Sequence, residues 1–397
     1  MLTGITERYA QGLRSLPPYL FAEIDRKKDA ARKKGVDIID LGIGDPDLPT
    51  PPHIVEALYK AAQNPDNHRY PTYEGMLSFR EAVAAWYKKT KHVTVNPEDE
   101  VLTLIGSKEG LAHSAFAFLN PGDTALVPDP AYPVYHNATV LANAVPHAVP
   151  LTEEHDFKPD LETIDTDVAK RAKLMFLSYP NNPTGATVDE SFFKEVIDFA
   201  HDNDLIILHD NPYSELVFDG YESPSFMAVN GAKDVGIEFN SLSKTYNMTG
   251  WRIGFAIGNA EILQGIGSVK SNIDSGAFQA VQEAGIAALT GPQDCAKQNV
   301  AIYRERRDIL VAGLRSAGFE VNEPKATFYL WVKVPRTFHP STSASIEFSM
   351  HLLEQTGVVV TPGVGFGTYG EGFVRITFCT SGKRLTEACE RIKGLNL

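Results

Sequence analysis

Between residues 101 and 257 the chain repeats one pattern, a short apolar run, a loop, then a segment of helical spacing. The apolar runs fall at 101–105, 124–127, 174–178, 205–209, 236–239 and 253–257, and the helical segments at 108–118, 190–203 and 261–271. A strand with one wet face alternates apolar and polar residues. These runs do not alternate, so both of their faces must be covered. Helices between such strands supply the crossover that parallel pairing needs. The pattern predicts an α/β domain built on a mainly parallel sheet.

At 397 residues the chain exceeds one ordinary core. The segments outside 101–257 read differently. Helical spacing marks 21–34, 53–63 and 77–89, and a short apolar strand at 38–41 breaks into Gly42-Ile43-Gly44-Asp45-Pro46-Asp47. Beyond residue 272 come long helical stretches at 275–290 and 293–316, strands near 328–334, 358–360 and 372–378, and a helix at 345–355. Shorter, segregated elements of this kind predict a smaller α+β domain. The boundaries expected are 1–45 for an arm and helix that join the small domain, 46–285 for the large domain and 286–397 for the small one. Residues 1–20 lack periodicity and read as an extended arm.

A net charge of −13 argues against a nucleic-acid or anionic-membrane surface. Residues 1–19 show no apolar core of signal-peptide length, and nowhere does an apolar run reach the about 18 residues of a membrane span. Three cysteines without a CxxC pair fit a reduced compartment. The expectation is a soluble, cytoplasmic protein with no nucleic-acid or membrane partner.

Loops that follow parallel strands gather at one edge of the sheet, where ligands bind. Gly106-Ser107-Lys108-Glu109-Gly110 opens a helix with exposed N–H groups, an anion site or a plain N-cap. Asp129-Pro130-Ala131-Tyr132-Pro133 braces a tyrosine that could stack on a flat ring or lie exposed. Asn181-Asn182-Pro183-Thr184-Gly185 offers two amides at a strand end. His209-Asp210-Asn211-Pro212-Tyr213 puts a carboxylate after an apolar run, where it needs a positive partner: a protonated pyridine nitrogen or a structural cation. Ser241-Leu242-Ser243-Lys244 sets a lysine among small hydroxyl residues, a setting that lowers an amine's pKa. Ser241, Ser243 and Arg252 form a receptacle for a phosphate. A nucleophilic lysine beside a phosphate site suggests an aldehyde cofactor with a phosphate tail, held as a Schiff base. An ordinary loop lysine is the alternative.

In this order the segments resemble the class I/II aminotransferase family, fold type I pyridoxal-phosphate enzymes, from Gly42 through Gly250-Trp251-Arg252-Ile253-Gly254 to Phe373-Val374-Arg375-Ile376. The resemblance implies pyridoxal 5′-phosphate on Lys244, with Asp210 keeping the ring nitrogen protonated. It implies that Asn182 and Tyr213 bond the ring hydroxyl and that Tyr132 stacks on the ring. Ser107, Lys108, Ser241, Ser243 and Arg252 would hold the phosphate, helped by Tyr70 of a second subunit, hence a homodimer with shared sites. Arg375 would grip the substrate carboxylate, with Gly44 and Asn182 lining the same place. Lys244, Asp210 and Tyr213 are the expected catalytic set.

Within the family the chain is similar to the LL-diaminopimelate aminotransferases at Leu16-Pro17-Pro18-Tyr19, Tyr70-Pro71-Thr72-Tyr73-Glu74-Gly75, Gly106-Ser107-Lys108-Glu109 and Ser271-Asn272-Ile273-Asp274-Ser275-Gly276. That substrate carries a second ammonium, which Glu74 could take, and a second carboxylate, which Lys108, Asn272 and Tyr19 could take. An alanine or aspartate aminotransferase is the main rival. Gly365-Phe366-Gly367-Thr368-Tyr369-Gly370 fits the G-x-G-x-x-G of nucleotide-binding oxidoreductases. A strand follows it where that motif requires a helix. Regulators of this fold carry a DNA-binding domain in front, and only a short arm precedes it here. No HExxH or paired Cys/His spacing suggests a metal.

Overall fold

The computed structural model describes residues 4–16, 20–338 and 341–395. Its strands, in chain order, are β1 (Ile39–Asp40), β2 (Val101–Leu104), β3 (Thr124–Asp129), β4 (Val145–Pro150), β5 (Ala172–Ser178), β6 (Ile206–Asp210), β7 (Gly236–Ser241), β8 (Gly254–Gly258), β9 (Tyr329–Lys333), β10 (Val358–Val359), β11 (Thr361–Pro362) and β12 (Phe373–Thr377). Seven of them form one sheet in the order β2-β8-β7-β6-β5-β3-β4. Pairing is parallel from β7 to β4, and β8 runs antiparallel to both β7 and β2. The reversal follows from chain length. The link from β7 to β8 holds the single-turn helix Leu242–Thr245 and a 3-10 turn at Thr249–Trp251, so the chain doubles back beside β7.

Both faces of this sheet are covered, as the unbroken apolar runs require. Phe79, Val83, Tyr87, Phe193 and Phe255 pack on one face. Leu104, Leu111, Phe176, Leu208 and Phe239 pack on the other. A third cluster gathers Leu310, Phe328, Phe348, Val374 and Phe378 around the three-stranded sheet β11-β12-β9. Ile39 and Leu41 belong to that third cluster, because β1 pairs in parallel with β10. Tyr213, Leu216 and Phe218 join it as well. The large mainly parallel unit and the smaller α+β unit therefore share a seam of side chains, with the end of β6 beside it.

Three features differ from the sequence reading. Strand β4 was not expected: it is an edge strand with two prolines, tolerated because one side needs no ladder. Helix Val134–Leu141 directly follows Pro133 and is too short to show periodicity. Residues 4–16 are not extended but form a 3-10 turn at Ile5–Arg8 and a helical turn at Gln11–Arg14. Gly12 makes that possible, since a Cβ there would stand 3.0 Å from the Val140 carbonyl oxygen and 3.2 Å from Leu141 Cα. Among the described residues no helix is long and apolar enough to cross a membrane.

Phe255 is fully enclosed, with its ring edge-on to Phe79 at 6.4 Å and to Tyr87 at 5.9 Å. Phe255→Ala should destabilise the protein by about 3–5 kcal/mol, read as a fall in the denaturant midpoint at unchanged slope.

Candidate active site

The loops at the ends of β2, β3, β5, β6 and β7 surround a cavity of about 820 Å³. Its walls include twelve of the site residues singled out above, drawn from both structural units.

One end of the cavity is an anion site. Helix Ser107–Phe118 begins there, presenting Ser107 and Lys108 in its first turn. Gly106 precedes it at φ 96°, and a Cβ at that position would collide with the Arg252 guanidinium. Arg252 itself holds a left-handed φ of 56° and donates from Nη1 to the Thr249 carbonyl at 3.0 Å. A non-glycine residue in that region is locally disfavoured, so the surrounding structure must hold it there. Ser241 accepts the Ser243 N–H at 3.2 Å and caps the turn that carries Lys244. Two cations, three hydroxyls and a helix start converge on one point, as a phosphate demands.

In the middle stand Lys244 and Asp210. Lys244 Nζ donates to the Gly44 carbonyl at 3.2 Å and lies 5.5 Å from the centre of the Phe328 ring. Burial, reinforced by the Arg375 and Arg252 charges, lowers its pKa against the pull of Cys379 and Asp45. Asp210 is buried at the end of β6, where Oδ2 accepts the Tyr135 hydroxyl at 2.7 Å and, among the described residues, Oδ1 has no hydrogen-bond partner. Burial pushes its carboxyl up to about 6, although Tyr135, His209 and Lys244 pull the other way. A carboxylate oxygen left in this state is costly. A protonated ring nitrogen in the cavity would complete it, so the residues present fit pyridoxal phosphate. Tyr132 lines the cavity beside them, its ring 5.8 Å from Lys108 Nζ.

At the far end, Arg375 on β12 is clamped between two rings, with Cζ 4.4 Å from the centre of Tyr329 and 4.6 Å from that of Phe366. Its Nη1 donates to Asn182 Oδ1 at 2.8 Å, and its Nη2 to the Gly42 carbonyl at 2.7 Å. The Nε is buried with no acceptor among the described residues. Tyr213 meets the Tyr329 hydroxyl at 2.8 Å. Phe366 comes from the G-x-G-x-x-G segment, whose glycines serve a different purpose from phosphate binding. Asp129 accepts the N–H groups of Thr368 and Tyr369, each at 3.0 Å, and a Cβ on Gly367 would strike that carboxylate. Strand β12 follows the segment, as the sequence reading required.

Three expected residues lie outside this cavity in the single chain, Tyr70 among them as the one expected from a second subunit. Tyr70 is 86% exposed, and Glu74 and Asn272 are exposed too. Asn272 spends its amide on the Ser268 carbonyl at 2.8 Å. Their loops adjoin each other instead: Gln279 Nε2 donates to the Arg69 carbonyl at 3.4 Å, and Gly276 abuts Pro71 and Thr72. Tyr19 lies outside the described residues. The sequence reading missed Tyr135, Tyr329 and Phe366. Tyr329 sits in an apolar strand that gave no chemical signal, and Phe366 in a glycine-rich turn whose only signal was its fit to a nucleotide-binding motif. Glu109, His113 and Asp274 could hold a metal by spacing, but the Lys270 ammonium sits among them, 3.3 Å from Glu109 and 2.8 Å from Asp274.

Comparison with known proteins is extensive. A family model described as aminotransferase class I and II matches residues 36–392. The LL-diaminopimelate aminotransferase of Moorella thermoacetica is 56% identical over 384 residues, covering 97% of each chain. That of Aquifex aeolicus is 53% identical over 389 residues, covering 98% of this chain and 99% of the relative. The substrate-bound BacF structure from Bacillus subtilis matches with a TM-score of 0.92 at 41% identity, covering 98% of both chains.

Asp210 gives a pH signature. Its folded-state pKa of about 6 exceeds the ordinary 3.8, so the folded protein keeps a proton that the unfolded chain releases. Stability is full below about 4 and is lost as pH rises through about 6, a cost on the order of 3 kcal/mol. Protein freed of cofactor should therefore melt higher as Asp210→Asn than as wild type at pH 8. The gap should close near pH 4. A variant less stable at every pH would contradict this.

Proposed function

The chain belongs to the class I and II aminotransferases, and from that premise we propose that it interconverts tetrahydrodipicolinate plus glutamate with LL-diaminopimelate plus 2-oxoglutarate. It is a pyridoxal-phosphate-dependent transaminase, as its family is. The observation that carries the substrate is the identity of more than half of the chain, over nearly its full length, with relatives of that name.

The bound cofactor supplies an aldehyde that takes the amino group and a ring that accepts electron density. The chain's own residues supply the rest. Lys244 Nζ, its pKa lowered by burial, takes the proton from the substrate α-carbon and returns it on the other side of the exchange. Asp210 Oδ1 would hold the proton of the ring nitrogen. Asn182 and Tyr213 would bond the ring oxygen, and Tyr132 would cover the ring. Ser107, Lys108, Ser241, Ser243 and Arg252 would hold the phosphate. Arg375 turns its fork to the α-carboxylate beside Gly44, and the Tyr329 and Phe366 rings keep water from it.

The active form is a homodimer. Tyr70, Glu74 and Asn272 lie exposed on adjoining loops of one chain, a placement that suits residues completing the partner's cavity. There Tyr70 reaches the phosphate, Glu74 takes the distal ammonium, and Asn272 joins Lys108 and Tyr19 on the distal carboxylate. We assign residues 46–285 to the cofactor domain, and 1–45 with 286–397 to the smaller domain. The three thiols, none of them paired, suit the cytoplasm.

Adding single amino donors to the holoenzyme and following its visible absorbance tests the reading. LL-diaminopimelate should discharge the band, whereas alanine and aspartate should not. Equal responses to all three would replace the narrow substrate with a broad one. In the same assay Glu74→Gln should weaken LL-diaminopimelate by about tenfold and leave glutamate nearly unchanged.

A further inference from the structure

Tyr329 touches both halves of the chemistry without belonging to either. It is 2% exposed on β9, and among the described residues its hydroxyl has one hydrogen-bond partner, the hydroxyl of Tyr213 at 2.8 Å. A phenol has one proton to donate. If Tyr213 gives its proton to the cofactor's ring oxygen, the proton shared by the pair belongs to Tyr329. The order is then fixed: Tyr329 donates to Tyr213, and Tyr213 donates to the ring oxygen. A hydroxyl that accepts a bond becomes a better donor, most of all in a buried setting.

The same side chain supports the substrate end. The face of its ring lies 4.4 Å from the Arg375 guanidinium carbon. Its own position is over-determined. Phe328 packs edge-on at 4.8 Å, Tyr213 edge-on at 5.6 Å, and any Cβ on Gly44 would overlap the phenol. Gly44 in turn offers its carbonyl to Lys244 Nζ. The ring therefore cannot move without disturbing Arg375, Tyr213 and the strap that meets Lys244.

We propose that Tyr329 is a positioning residue for transamination, whose hydroxyl donates to Tyr213 and so sets the ring-oxygen bond, while its ring sets the carboxylate grip of Arg375. This rests on the roles of Tyr213 and Arg375 given under the proposed function.

The two parts separate by substitution. Tyr329→Phe removes the hydroxyl and keeps the ring, and Tyr329→Leu removes both. The first readout is the pH midpoint of the holoenzyme's visible absorbance, with the dissociation constant of pyridoxal phosphate from the apoprotein as the second. Tyr329→Phe should raise the midpoint by less than Tyr213→Phe does, weaken cofactor binding by about threefold, and leave KM for 2-oxoglutarate within about twofold. Tyr329→Leu should raise that KM by about tenfold. In the double variant Tyr213→Phe/Tyr329→Phe the midpoint should match that of Tyr213→Phe alone, because the second hydroxyl acts through the first. A structural role would move melting temperature but would not produce that equality. If Tyr213→Phe shifts the midpoint and Tyr329→Phe does not, or shifts it equally with Tyr213 absent, the inference is overturned while the function stands. If Tyr213→Phe shifts nothing, the role of Tyr213 falls and the inference with it. The Phe arm retains its force should the Leu variant not fold.

Discussion

Asp210 ends β6 with one oxygen held by Tyr135 and the other facing the cavity without a partner. At a position this buried, an uncompensated carboxylate has its pKa raised and burdens the fold. The surrounding chain does not relieve that burden: it supplies one neutral hydroxyl and leaves the second oxygen open. A cation brought in with a ligand would relieve it. On the proposed reading the large sheet holds one ring: the end of β6 would address the ring nitrogen, the turn after β7 presents Lys244, and the helix after β2 would receive the phosphate.

The second half of the site belongs to the smaller unit, which makes the cavity a property of how the two units meet. Arg375 arrives on β12, while Gly42 and Gly44, which touch Arg375 and Lys244, come from the segment just after β1. That segment is pinned from both sides. Arg306 of helix Asp294–Ser316 holds Asp47 in a two-pronged ion pair at 2.6 and 2.9 Å. On the other side Thr50 donates to the Asn247 carbonyl at 2.7 Å. Fixed geometry between base, cation and carboxylate grip is what lets a site distinguish reacting from merely bound substrate.

Much of this was legible in the residues themselves. Six of the seven strands of the large sheet announced themselves as apolar runs, because both of their faces are covered. The seventh, β4, did not, since an edge strand with Pro146 and Pro150 has no such run. The loops at the strand ends pointed to Ser107, Lys108, Asp210, Ser241, Ser243 and Lys244, each an ionisable or hydroxyl group out of character with its apolar approach, and the fold gathers them around one cavity. Tyr135 escaped because only the fold turns its hydroxyl to Asp210. Tyr329 and Phe366 escaped because an aromatic in an apolar strand or turn looks like core. Glu74 and Asn272 mark a different limit: residue type suggested what each side chain could bind, but not that both would lie exposed on loops outside the cavity of their own chain.

Every role assigned to the cavity turns on Lys244 as the lysine that would carry the cofactor. Borohydride reduction of the holoenzyme, proteolysis and mass spectrometry of the labelled peptide test this directly. A single pyridoxyl label is expected on Lys244, within the peptide that contains Ser241 and Ser243. A label on Lys108 or any other lysine, with Lys244 unmodified, would contradict it.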